Sequence, residues 1–205
     1  MQNATFLIGD IGGTHMRFWL MPCSSPELRA EPIFTARYST PEFSHLYDAL
    51  KRLRGELPIQ CGSSIVWCTL AVCGPVIRGQ ALCLAPTMGP SGWSIDERHA
   101  AQALRMALET RCQIINDFVA VGLALPLVRH AGICVTVHPG NGFDEGDKQP
   151  IACIGPGTGL GECVCIPTSR GSEPRAQFDA DDVTASGRPS NSNDSYQVCT
   201  LSGPH

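Results

Sequence analysis

A short glycine-rich segment near the start of the chain has the residue types of an anion site. Residues 9–14 read Gly-Asp-Ile-Gly-Gly-Thr. Glycines let backbone N–H groups approach an anion closely, and successive N–H groups form a nest for phosphate oxygens. Asp10 could hold Mg²⁺ through water, because Mg²⁺ keeps much of its hydration shell. A plain hairpin turn would use the same glycines, so this segment alone leaves both interpretations open.

A second glycine-rich segment, residues 155–161, reads Gly-Pro-Gly-Thr-Gly-Leu-Gly. Such a loop lacks the side chains that would block a phosphate. No Gly-Lys-[Ser/Thr] follows, so it is not a Walker A loop. No register of G-x-G-x-x-G fits either, because the third glycine position falls on Leu160, Glu162 or Val164. The following residues favour a strand rather than a helix, which also argues against a dinucleotide-binding fold.

A polar pair, Asn116 and Asp117, stands between a short apolar strand and an apolar helix. A carboxylate there is partly desolvated and lies near the positive end of the helix dipole. Asp117 is therefore a candidate general base for a hydroxyl group. A helix cap is the alternative for either residue. Two further features, Gly74-Pro75 after an apolar strand and Trp93, could border a ligand or simply pack.

Hydrophobic periodicity predicts the elements that position these segments. The expected strands are 5–10, 16–21, 32–38, 64–73, 81–85, 113–115, 150–155 and 161–166. Helices are expected to begin at Thr40-Pro41, at a capping box formed by Ser94 and Glu97, and at about residue 118. Residues 169–205 lack apolar periodicity, and we expect them to form a disordered tail.

The composition narrows the function classes. The chain has 205 residues, a formal charge of −4 and no Lys/Arg cluster, so we expect no nucleic-acid partner. We expect no membrane association and a cytoplasmic location, because no apolar run is long enough to span a bilayer and no signal peptide is visible. Without an export signal, the eleven cysteines are expected to be free thiols that act mostly as small buried hydrophobes.

Taken together, the motifs resemble those of bacterial-type glucokinases, in order and near spacing. The resemblance covers residues about 5 to 166. That family belongs to the hexokinase/actin-like ATPase superfamily, so the resemblance implies an α/β, ribonuclease H-like fold with a small lobe and an incomplete large lobe. The matching segments are Asp10-Ile-Gly-Gly-Thr14, Gly74-Pro75-Val76, Trp93-Ser94-Ile95, Ile115-Asn-Asp-Phe118 with Ala120-Val-Gly122, and residues 155–161.

The resemblance also implies roles for single residues. Asp10 would position Mg²⁺ and ATP, and Asp117 would take the proton from the 6-hydroxyl of glucose while Asn116 binds a neighbouring hydroxyl. The expected phosphate contacts come from the two glycine segments: Gly12, Gly13, Thr14, Gly157, Thr158 and Gly159. The implied partners are ATP, Mg²⁺ and a sugar, and a homodimer is compatible with the family.

The chain departs from the family after the second glycine segment. The family's Glu-Gly-Gly-His-type sugar motif has no match in residues 169–175, and Glu173 does not take that role. We therefore expect a small lobe at 1–118, the beginning of a large lobe at 119–168 and a tail at 169–205. Two alternatives to an active glucokinase stay open: a catalytically impaired fragment that binds nucleotide or sugar, and an actin- or chaperone-like ATPase.

Overall fold

The computed structural model describes residues 4–23, 31–58, 65–107, 110–130, 150–156, 160–168, 184–185 and 195–200. The chain divides into two compact units, Met1–Asp117 and Phe118–His205, and each is described by itself. The strands are β1 (Thr5–Ile11), β2 (His15–Pro22), β3 (Phe34–Ser39), β4 (Ile65–Val72), β5 (Val76–Ile77), β6 (Gln80–Cys83), β7 (Trp93–Asp96), β8 (Arg111–Asn116), β9 (Ile151–Pro156), β10 (Leu160–Thr168), β11 (Thr184–Ala185) and β12 (Ser195–Thr200). The helices are α1 (Leu46–Glu56), α2 (Glu97–Ala103) and α3 (Asp117–His130).

The first unit is built on a five-stranded sheet of order β3-β2-β1-β4-β8. β1, β2 and β3 form an antiparallel meander, whereas β4 and β8 run parallel to β1. Parallel neighbours need crossover connections, and α1 precedes β4 while α2 precedes β8. The chain between β4 and α2 adds a small antiparallel sheet of order β5-β6-β7.

One hydrophobic core holds the first unit together. Alternate residues of β1, Leu7 and Ile11 among them, are fully buried, as period-two strand geometry requires. The helix α1 presents Leu46, Leu50 and Leu53 to the same core at helical spacing. The predicted strands and the glycine-turned hairpin are therefore present, with bounds that differ by a few residues.

Two predicted helix starts are wrong. Thr40 does not cap an α-helix: residues Thr40–Glu42 form a single 3-10 turn, and α1 begins at Leu46 with His45 as its cap. The Ser94 capping box is also wrong, because β7 continues to Asp96. The Asp96 carboxylate caps α2 by accepting a hydrogen bond from the backbone N–H of His99 at 2.9 Å.

The second unit contains α3 and an antiparallel sheet of order β11-β12-β10-β9. Cys163 and Cys165 of β10 are buried beneath α3, and the Cys165 thiol donates to the carbonyl oxygen of Gly122 at 3.4 Å. The strand β12 pairs with β10, so these six residues of the predicted tail differ from the expected disorder. Their alternation of Tyr, Val and Thr with other residues suits a strand. The domain boundaries at 118 and 168 stay predictions.

Candidate functional site

Three parallel strands of the first unit end at the same edge of the sheet. The register aligns Ile11 of β1 with Val72 of β4, and Val72 with Asn116 of β8. Neighbouring strands lie about 4.8 Å apart, so the ends of β1 and β8 are separated by about 10 Å. The first glycine turn, the turn at Cys73 and the start of α3 follow these ends. The predicted residues in the first unit are thereby brought to one edge of its sheet.

The carboxylate of Asp10 has a cationic neighbour. Asp10 lies directly opposite Arg17 in the β1–β2 register, and the Arg17 guanidinium contacts Asp10 Oδ2 at 3.1 Å. Both side chains are about half exposed, so the pair contributes little to stability. The charges of Asp10 and Asp117 both act on the Cys73 thiol and oppose its ionisation. Cys73 is therefore near both predicted carboxylates.

Hydrogen bonds hold the first glycine turn from two sides. The N–H of Gly12 donates to the carbonyl oxygen of His15 at 3.0 Å and closes the hairpin. The Thr40 hydroxyl donates to the carbonyl oxygen of Gly12 at 2.8 Å. The Thr87 hydroxyl donates to the carbonyl oxygen of Gly13. The N–H of Gly12 is therefore occupied within the turn, so an anion would have to be bound by other backbone N–H groups.

These carbonyl contacts orient the next two backbone donors. The carbonyl of Gly12 and the N–H of Gly13 belong to one planar peptide unit, and in a trans peptide they point in opposite directions. No cis peptide occurs among the described residues. The hydroxyl that holds the Gly12 carbonyl therefore also sets the direction of the Gly13 N–H. The hydroxyl of Thr87 sets the direction of the Thr14 N–H in the same way, so two successive donors have fixed orientations.

Asn116 and Asp117 mark the passage from β8 into α3. The helix begins at Asp117, one residue earlier than predicted, so its carboxylate lies in the first turn, where the helix dipole favours the anion. The side-chain amide of Asn116 donates to the carbonyl oxygen of Gly74 at 3.0 Å. The turn at Gly74-Pro75 therefore positions the residue that precedes the candidate base.

The second glycine segment is only partly described. Gly157, Thr158 and Gly159 lie outside the described residues. Gly155 and Gly161 face each other across the β9–β10 pair. A Cβ atom added at Gly155 would meet Phe118 Cζ at 2.6 Å, and one added at Gly161 would lie within the van der Waals radius of the same ring. These two glycines make room for Phe118, which the sequence interpretation of the segment as a phosphate loop did not foresee.

Sequence reasoning missed Thr40 and Thr87 as supports of the turn. The sequence predicts Thr40 as a helix cap, and Thr87 carries no local signal because its partner Gly13 lies 74 residues away. The side chain of Trp93 is almost fully buried in the core of the first unit. Trp93 therefore packs against the core instead of lining an open pocket.

At this edge of the sheet, Asp10 could bind Mg²⁺ as a single carboxylate ligand together with water. Among the described residues, no group of three or more His, Cys, Asp or Glu side chains could hold a metal ion. Mg²⁺ is commonly bound by one or two carboxylates together with water and substrate phosphates. The partly exposed carboxylate of Asp10 fits that mode, because it leaves room for water ligands.

The part of the chain that the structure describes contains no helix that is long and apolar enough to cross a membrane.

Comparison with sequences of known proteins identifies relatives over most of the chain. The glucokinase family model matches residues 7–184. A glucokinase of Synechocystis sp. is 33% identical over 175 residues, which are 83% of this chain and 46% of that protein. A glucokinase of Paramagnetospirillum magneticum is 33% identical over 165 residues, with 80% and 46% covered. The chain spans about half the length of the curated relatives that it matches.

Comparison with solved structures shows the fold. The glucokinase from Balamuthia mandrillaris in complex with glucose aligns with a TM-score of 0.60 at 16% identity, over 92% of this chain and 51% of that one. An inorganic polyphosphate/ATP-glucomannokinase from Arthrobacter sp. strain KM aligns with a TM-score of 0.52 at 22% identity, over 80% and 59%. The expected actin-like ATPase fold is confirmed. By the match over residues 7–184, the chain belongs to the glucokinase family.

Proposed function

We propose that the chain is a glucokinase that transfers the γ-phosphate of ATP to the 6-hydroxyl of glucose. The observation that carries the proposal is a common sheet edge: Asp10 is the penultimate residue of β1, the glycine turn follows β1, and Asp117 follows β8. A phosphate-binding turn and a general base at one edge are what phosphoryl transfer to a hydroxyl requires.

In this mechanism each residue has a limited task. Asp117 accepts the proton of the 6-hydroxyl of glucose. At the same time the oxygen of that hydroxyl forms a bond to the γ-phosphorus, and the bond between the γ-phosphorus and the ADP oxygen breaks. The N–H groups of Gly13 and Thr14 donate to phosphate oxygens. Asn116 orients a neighbouring sugar hydroxyl. Asp10 would hold Mg²⁺ through water, and the ion would supply positive charge beside the phosphates. Gly157, Thr158 and Gly159 are proposed as the second phosphate loop.

A second candidate function is a fragment that binds nucleotide or sugar without turnover. It is favoured by residues 169–175, which do not match the Glu-Gly-Gly-His-type sugar motif of the family. Catalysis needs reacting atoms held in productive geometry, so the loss of sugar contacts lowers the rate even where the base is present.

Glucose-dependent ADP formation by the purified chain tests the two candidates. The active enzyme produces ADP with glucose and none with 6-deoxyglucose, and Asp117→Asn reduces the rate by at least about 100-fold. Asp48→Asn is the matched control, because this carboxylate lies on the exposed face of α1. ATP binding by calorimetry without any turnover would favour the fragment. ADP formation without sugar would contradict both candidates and indicate an ATPase.

A further inference from the structure

Two thiols lie at the turn that follows β4. Cys73 is the first residue after this strand, and its N–H donates to the carbonyl oxygen of Ile11 at 3.1 Å. Its backbone is thereby fixed at the end of the β1–β4 ladder. Cys83 is the last residue of β6, and its side chain is fully buried. The proposed phosphoryl transfer uses neither thiol.

The backbone brings these two cysteines close together. A Cβ atom added at Gly74 would lie 3.2 Å from the Cα atom of Cys83 and 2.4 Å from the carbonyl oxygen of Leu82. Only glycine permits so close an approach of the turn to the end of β6. The side chains of Cys73 and Cys83 interact, and each thiol is the largest influence on the pKa of the other. The two sulfur atoms are therefore neighbours in the reduced protein.

The two thiols are chemically unequal. Cys73 is only partly buried, whereas Cys83 is enclosed by the core. The interaction with the Cys83 thiol lowers the pKa of the Cys73 thiol, although burial and the carboxylate of Asp117 oppose this effect. The same interaction and burial raise the pKa of Cys83. The thiolate is the nucleophile in thiol chemistry, so Cys73 is the thiol suited to attack and Cys83 the one suited to resolve.

We propose that Cys73 and Cys83 form a dithiol site that hydrogen peroxide oxidises to an intramolecular disulfide. The Cys73 thiolate attacks one peroxide oxygen, the O–O bond breaks, and the departing hydroxide takes up a proton to become water. Cys73 is then a sulfenic acid. Cys83 loses its proton, its sulfur attacks the Cys73 sulfur, and the S–O bond breaks to release a second water. Two electrons pass from the two thiols to one peroxide.

Two other thiol pairs serve as internal comparisons. Cys68 and Cys112 lie opposite each other on β4 and β8, and the hydrogen bond from Cys112 together with burial raises the pKa of Cys68 well above its usual range. Cys153 and Cys163 face each other on β9 and β10, and burial raises the pKa of Cys163 to about 12. Cys68 and Cys163 are thus held protonated.

Oxidation would act on the candidate active site through one hydrogen bond. Gly74 follows Cys73 directly and accepts the hydrogen bond from Asn116. A disulfide between Cys73 and Cys83 would tie this turn covalently to β6. The inference about the disulfide does not require sugar phosphorylation, because its product is a covalent bond that can be detected in an inactive protein.

Peptide mapping after peroxide treatment tests the proposal. The full chain is reduced, treated with hydrogen peroxide, alkylated and digested with trypsin. Cleavage at Arg78 separates the two cysteines, so their disulfide joins peptides 55–78 and 79–98 with the loss of two hydrogen atoms. We expect this pair to form before any other, to vanish in Cys73→Ser and in Cys83→Ser, and to persist in the control Cys112→Ser.

Three results would overturn the inference. The first is the absence of the 55–78/79–98 pair from the oxidised wild-type chain, which needs no variant. The second is the joining of 55–78 to 112–129 in its place, which would make Cys112 and not Cys83 the partner in the reactive pair. The third is survival of the 55–78/79–98 pair in a Cys73→Ser chain whose far-ultraviolet circular dichroism matches that of wild type.

Discussion

The side-chain amide of Asn116 donates to the carbonyl oxygen of Gly74 at 3.0 Å, which joins the end of β8 to the turn after β4. The two residues lie 42 positions apart in the sequence. Gly74 in turn packs its backbone against Leu82 at the end of β6. A displacement of this turn is therefore transmitted to the residue that immediately precedes the candidate base, Asp117.

Replacement of Gly74 by alanine tests that close packing. The added Cβ would lie 2.4 Å from the carbonyl oxygen of Leu82, a backbone atom that cannot rotate away. We expect Gly74→Ala to lower the free energy of unfolding by about 1–3 kcal/mol in urea denaturation. Gly55→Ala is the matched control, because nothing lies within 4 Å of its added Cβ and alanine favours the helix by about 0.5–1 kcal/mol. Equal effects of the two substitutions would refute the packing argument.

The hydroxyl of Thr40 is expected to stabilise the first glycine turn. Thr40 is fully buried, and Thr40→Val leaves the carbonyl oxygen of Gly12 without its donor. Urea denaturation should show a loss of about 1–3 kcal/mol, because a buried acceptor is left unsatisfied. Thr40→Ser keeps the hydroxyl and should lose less. A Thr40→Val chain as stable as the Ser variant would mean that the hydrogen bond contributes nothing.

The requirement for glycine at positions 155 and 161 should depend on the ring of Phe118, because an added Cβ atom at either position would collide with that ring. We expect Gly161→Ala to destabilise the full chain by about 1–3 kcal/mol, since the new methyl group occupies the space of the ring. In a Phe118→Ala background the same substitution should cost at least about 1 kcal/mol less. A double-mutant cycle in urea measures the difference. Additive effects would show that the glycine is required for another reason.

The start of α2 provides a contrast between two polar residues. The carboxylate of Asp96 accepts the N–H of His99, whereas the side chain of Ser94 points from an exposed position of β7. Thermal denaturation should therefore report a loss of about 1 kcal/mol for Asp96→Ala and almost none for Asp96→Asn, which retains a capping oxygen. Ser94→Ala should be close to neutral. A larger loss of stability for Ser94→Ala than for Asp96→Ala would support the capping box predicted from the sequence.

Stability should fall on mild acidification because of His45. Its Nδ1 accepts the N–H of Tyr47 and its Nε2 contacts the carbonyl oxygen of Ser94, so the neutral ring carries its proton on Nε2. Burial lowers the pKa of His45 in the folded chain. Below about pH 6.5 the unfolded chain takes up the proton more readily, so protonation favours unfolding.

Urea denaturation at pH 7.5 and pH 5.5 measures this effect. The wild-type chain should lose free energy of unfolding between these values, and His45→Asn, which retains a capping side chain, should lose less. This interval lies above the range in which Asp48, Glu56 and Asp96 titrate, since their pKa values are all lowered by their hydrogen bonds. Identical losses in wild type and His45→Asn would assign the pH dependence to other groups.

The strands of the first unit were predictable because their signals are local. Apolar runs of strand length are interrupted by glycine, and the hairpin of β1 and β2 follows from the turn between them. The pairing of β4 and β8 with β1 is long-range, and no local pattern encodes which strands become neighbours. The local patterns therefore do not predict the order of the sheet, and the resemblance implies only the ribonuclease H-like fold.

The errors at helix starts share one physical cause. Thr40 and Ser94 both have side chains that can cap a helix, but tertiary contacts decide otherwise. The Thr40 hydroxyl bonds to Gly12, 28 residues away, and β7 includes Ser94 in a ladder with β6. Glu97, the other half of the predicted capping box, accepts the N–H of Ile114 at 2.9 Å. Capping signals are reliable only where no distant contact, of the side chain or of the backbone, competes for the same residue.

The threonine contacts at the first glycine turn have an entropic consequence. Glycine loses more backbone freedom on ordering than any other residue, so a loose Gly12-Gly13 turn would have to be ordered by its ligand. That ordering costs about 1–2 kcal/mol for each residue. Because the hydroxyls of Thr40 and Thr87 fix the turn during folding, a bound anion would not bear this cost. The turn keeps the close approach that glycine allows without the flexibility that would weaken binding.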